Sequence, residues 1–164
     1  MGKQRLGTLA MTLALFTVGP SMAWSQNSRS GLVHNRSSIE GVWRVSRHGV
    51  NCATGEEVST FPALMTFHED GTVSGQAVPP GSTNAYGPAE FGAWHRNEYG
   101  QGFSFKLLSY NYDDTGVIAG SIEVTGTAGL TSANGFAYKA NIEIYDANGN
   151  LLISHCGKAT GLRF

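Results

Sequence analysis

The side chains able to do chemistry are few and widely spaced in this chain. Histidine stands at His34, His48, His68, His95 and His155, with no His-x-His or His-x-x-x-His pair to hold a metal ion, so no metal site is expected. There is no Gly-x-Ser-x-Gly elbow for a serine nucleophile and no glycine-rich phosphate loop. Asp113-Asp114-Thr115-Gly116 and Asp146-Ala147-Asn148-Gly149-Asn150 are faintly like calcium loops, but lack the distal Glu and read as hairpin turns. For proton transfer without a cofactor the nearest candidates are Glu90 and His95, the latter following Trp94. No catalytic constellation is signalled and no cofactor is expected.

The elements that would hold these groups are strands. Turn signals recur at strand-length intervals from Gly41 onward, and no helical period of useful length follows. The expected strands are Val42 to His48, Phe61 to Phe67, Thr72 to Val78, Glu90 to Arg96, Phe103 to Tyr112, Val117 to Thr125, Gly135 to Asp146 and Leu151 to Arg163. Phe136, Tyr138, Ala140, Ile142 and Ile144 share one face of the seventh strand, with Lys139, Asn141 and Glu143 opposite; Phe103, Phe105 and Leu107 stack likewise on the fifth. The irregular stretch from Pro79 to Pro88 is a candidate mouth loop. Together these make a single all-β domain, an eight-stranded antiparallel up-and-down barrel, over residues 40–164.

Residue numbers predict how such a barrel closes. Directly opposed residues of an antiparallel pair have a constant sum: Trp43 with Arg163 gives 206, and Cys52 with Cys156 gives 208. One register with a local bulge would place both pairs side by side and join the first strand to the last. Gly41-Val42-Trp43 and Arg163 resemble the lipocalin, or calycin, superfamily, in which a Gly-x-Trp motif opens the first strand and an Arg near the end of the last packs across the Trp ring. Cys52-Ala53-Thr54-Gly55, the stretch Met65 to Thr72 and the ending Cys156 to Phe164 are also similar to a poorly characterised group of secreted bacterial lipocalin-like proteins, a likeness that brings no assigned activity. The resemblance gives Trp43 and Arg163 a structural role.

Residues 1–23 read as a secretory signal peptide: Lys3 and Arg5, the apolar run Leu9 to Val18, then Ser21-Met22-Ala23 as a cleavage site. Residues 24–39 are a Ser/Asn/Arg-rich lead-in without periodicity. The whole chain carries 11 Lys+Arg and 12 Asp+Glu. Losing Lys3 and Arg5 with the leader takes the net charge to −3, and no basic run remains to bind nucleic acid. Two cysteines in an exported chain predict one disulfide, Cys52 to Cys156, in a secreted or periplasmic protein. An outer-membrane barrel also alternates with period two, apolar face outward, but Gly41 to Arg47 is short for a membrane strand, and stable membrane insertion is not expected.

Three functions fit such a barrel. The first is uptake of a small apolar ligand in a cavity bounded by Met65, Phe67, Phe105, Tyr138 and Ile142. The second is a cofactor-free cyclase or isomerase, whose allene oxide cyclase and dirigent barrels resemble this architecture; it would use Glu90 and His95. The third is a protein-binding barrel such as a protease inhibitor, which would present an exposed apolar patch or residues 24–40.

Overall fold

A strand that buries one face must put alternate residues against a core, and all eight strands of this chain do so around a common interior. The computed structural model describes residues 38–78, 87–98 and 102–164. The expected leader, the expected lead-in as far as residue 37, and residues 79–86 of the candidate mouth loop lie outside the described residues. The strands are β1 (Gly41–Val50), β2 (Glu57–Phe67), β3 (Thr72–Ala77), β4 (Ala89–Arg96), β5 (Phe103–Tyr112), β6 (Ile118–Ser132), β7 (Gly135–Asp146) and β8 (Leu151–Arg163). They pair in sequence order, every pair antiparallel, and β8 returns to β1 to close the barrel. Closure gives each strand a neighbour on both sides over at least part of its length.

The β1–β8 register holds from Trp43 opposite Arg163 to Val50 opposite Cys156 without a break. The expected bulge is therefore absent from this pairing. Cys52 lies two residues beyond the end of paired β1, in a turn, and reaches Cys156 from there with a Cα–Cα separation of 5.1 Å. A residue on a turn is free of the ladder's register, so the disulfide forms without shifting it. The register of β1 against β2 shifts instead between Gly49 and Val50, where Val58 of β2 is the extra residue.

Two strands run further than their residue pattern suggests. β2 starts at Glu57, and β6 continues to Ser132. The second half of β6 carries Gly126, Ala128 and Gly129, small residues that show no apolar period. Ala128 nevertheless pairs with Phe103 on one side and Tyr138 on the other. Small side chains there leave room inside the barrel for the large rings of β5 and β7.

One end of the barrel is filled. Trp43 and Phe136 meet edge to face at 4.9 Å, and Phe67 touches Phe136, Phe105 and Trp94 at centroid separations of 5.9, 6.3 and 6.0 Å. Each such pair contributes about 0.5–1.5 kcal/mol beyond the area it buries. Arg163 lies 4.2 Å over the Trp43 ring and donates to the carbonyls of Ser38 (2.8 Å), Glu40 (2.5 Å) and Ala133 (3.3 Å). The Trp43 indole donates to the Ile39 carbonyl at 2.7 Å. Ser38 and Ile39 are buried, so packed structure includes at least two residues ahead of the expected boundary at residue 40. The apolar faces of the strands turn into the barrel, the reverse of the alternation that a lipid-facing barrel displays.

Three hairpins leave the strands through turns that end on glycines at positive φ, Gly71, Gly116 and Gly149. The aspartates of the two calcium-like stretches serve their own turns. Asp113 Oδ1 accepts from the Thr115 and Val117 amides, and Asp146 Oδ1 from those of Asn148 and Asn150.

Candidate functional site

Four polar side chains interrupt the inward faces of otherwise apolar strands, all at about the same height. Arg47 continues the inward series Trp43, Val45 on β1, and Ser109 continues Phe103, Phe105, Leu107 on β5. Tyr138 follows Phe136 on β7, and Glu90 faces inward near the start of β4. Arg47, Glu90, Ser109 and Tyr138 are all buried.

Arg47 and Glu90 belong to strands that are not neighbours in the sheet, so their contact crosses the barrel interior. Arg47 Nη1 donates to Glu90 Oε1 and Nη2 to Oε2, both at 2.6 Å, a bidentate pair with the two side chains 8% and 10% exposed. Gly75, opposite Glu90 on β3, makes space for it. A Cβ at that position would sit 2.8 Å from Glu90 Oε2 and 3.5 Å from Arg47 Nη2.

The electrostatics follow from this geometry. Burial works to lower the Arg47 pKa, but the Glu90 hydrogen bonds and the Glu90 charge work against it, and the guanidinium is held above its usual value. Burial raises the Tyr138 pKa; the Arg47 charge opposes that rise and the Glu90 charge adds to it. The phenol therefore stays protonated and is a donor. Arg47 Nε is buried and has no acceptor among the described residues.

Among the described residues the barrel above this polar layer is partly open. A cavity of about 440 Å³ has Arg47, Glu90, Ser109 and Tyr138 in its lining together with an apolar wall that includes Phe61, Ile122, Val124, Ile142 and Ile144. Its size falls within the range of about 300–1,000 Å³ usual for small-molecule sites. His155, opposite Ile142 on β8, stands at the rim and is exposed. A larger depression of about 580 Å³ lies beside Thr127, Lys139 and Thr160 of β6–β8; Tyr138 is in its lining too, but Arg47, Glu90 and Ser109 are not.

The residues expected to bound a cavity divide into two groups. Tyr138 and Ile142 are in its lining. Met65, Phe67 and Phe105 face the interior but lie in the filled end, 0%, 1% and 3% exposed, because their register sets them near the Trp43 plug. Period two fixes the face of a strand and says nothing of height along the barrel. Glu90 and His95 are not brought together. They are five residues apart on one strand, an odd separation, so Glu90 points in and His95 points out and is exposed. Arg47 and Ser109 are the buried polar residues of the cavity lining that reading the sequence missed. The signal was there: each is a polar residue on an apolar period-two face.

Among the described residues no three His, Cys, Asp or Glu side chains cluster to hold a metal ion. No family model matches the chain, and no curated protein matches it in sequence.

Proposed function

We propose that the protein is an exported, lipocalin-like binding barrel that takes a small, largely apolar molecule into its open end. The observation that carries this reading is the half-open 440 Å³ cavity, apolar along its wall and closed below by a buried polar layer. Such a cavity favours an apolar body by desolvation and orients it through a few fixed polar groups. The opposite end is plugged by Trp43, with Arg163 across its ring. The Cys52–Cys156 disulfide fits an oxidising compartment, as would the leader that residues 1–23 lead one to expect. Both Glu90 oxygens accept from Arg47, which leaves the carboxylate poorly placed as a general base and weighs against the cyclase reading.

The test is native mass spectrometry of the protein recovered from its exported location without detergent, beside its denatured mass. A native mass higher by a few hundred daltons supports the binding reading and supplies the ligand for identification. A native mass equal to the denatured one, in protein that also takes up no apolar probe, refutes it.

A further inference from the structure

We infer that the cavity selects molecules whose inserted end is an uncharged hydrogen-bond acceptor, a ketone, aldehyde or ester oxygen, over carboxylates of the same length. This rests on the binding reading above and adds the head group that the site takes.

A guanidinium has five N–H donors. Glu90 engages Nη1 and Nη2 of Arg47 and at the same time cancels its charge. What remains at the polar layer is donor capacity without net charge. Arg47 Nε is screened from solvent and so is not reached from the open cavity; the donor that the cavity lining offers is the Tyr138 hydroxyl. A donor in an apolar cavity gains most from an acceptor that reaches it. A carbonyl oxygen satisfies it and brings no charge.

The two charged alternatives fare worse. A carboxylate would accept from the same donor but would set a second negative charge beside Glu90, with only one cation between them, in a place poor in water. An ammonium would face the Arg47 guanidinium, while both Glu90 oxygens are already engaged. Neutral acceptors avoid both penalties, and the rest of the molecule lies against Phe61, Ile122 and Ile142.

The experiment is calorimetric titration of the purified, delipidated protein at neutral pH with two chain-matched probes, octan-2-one and octanoate. The expected result is that octan-2-one binds tighter by about tenfold or more, a difference of about 1.4 kcal/mol. E90Q leaves the Arg47 charge uncancelled and should bring octanoate level with the ketone or ahead of it. Y138F removes one donor at nearly constant volume and should weaken the ketone severalfold more than it weakens octanoate. Should E90Q fail to fold, the wild-type ratio and Y138F decide the matter without it. Octanoate binding the wild type as tightly as the ketone overturns the inference and leaves the binding reading standing. Folded wild type that binds neither probe overturns the binding reading itself.

Discussion

Replacing Glu90 by Gln leaves the Arg47 guanidinium as an uncompensated charge inside the barrel, and the size of the stability loss reports how dry that interior is. The pair is bidentate at 2.6 Å with both side chains about nine-tenths buried. Removing one partner of a buried pair costs about 3–5 kcal/mol. Because Arg47 also lines a partly open cavity, water can enter and soften the loss, so the lower half of that range, about 3–4 kcal/mol, is expected. At roughly 3–5 °C per kcal/mol for a domain of this size, E90Q should melt about 9–20 °C below wild type. The double variant R47M/E90L removes both charges and fills similar volume, and should return to within about 1–2 kcal/mol of wild type or exceed it. Denaturant titrations and thermal melts of wild type, R47M, E90L and the double variant complete the cycle, with E90Q measured beside them. A single variant within about 1 kcal/mol of wild type would mean that the pair is well solvated. The argument for a dry polar layer would then fail.

Three further outcomes follow from other parts of the barrel. The Cys52–Cys156 bridge spans 104 residues of sequence, so C52A/C156A should lower stability by up to about 4–5 kcal/mol in the chain-entropy account, read as a fall in the denaturant midpoint. A Cβ on Gly161 would lie 2.1 Å from a ring carbon of Phe136; G161A should therefore cost about 1–3 kcal/mol by overpacking, and adding F136L should recover part of that in the same melts. Hydrogen bonds from Thr60 and His48 hold the Glu57 pKa down from 4.5 to about 2, and those of Asp70, Asp113 and Asp146 are lowered in the same direction. A depressed folded-state pKa gives stability that is present above the unfolded value and lost as pH falls through the folded one. Stability should thus decline between about pH 4.5 and pH 2, and E57Q should flatten part of that decline in acid denaturation curves.

Much of the architecture was legible in the residues because it depends on local regularities. Period-two faces on β5 and β7, turn residues such as Asp113 to Gly116, and the spacing of Trp43 to Arg163 all act over a few residues or along one ladder. The same alternation contained the evidence for Arg47, whose position two residues after Val45 turns it inward, and against joining Glu90 with His95, which an odd separation sends to opposite faces. The second half of β6 was harder to read, since its small residues are chosen by the rings across from them and carry no period of their own.

The sequence by itself thus determined the strand order, the closure of the barrel and which side chains face its interior, because a pleated strand obliges alternate residues to opposite sides. Only the tertiary structure decided how high each inward residue sits. Height depends on strand tilt and on register summed around all eight strands, and no single stretch of chain contains it. That is why Phe67 and Phe105 belong to the filled end while Tyr138 and Ile142 line the cavity. It is also why Arg47 and Glu90, 43 residues apart and on strands that never pair, meet across the interior.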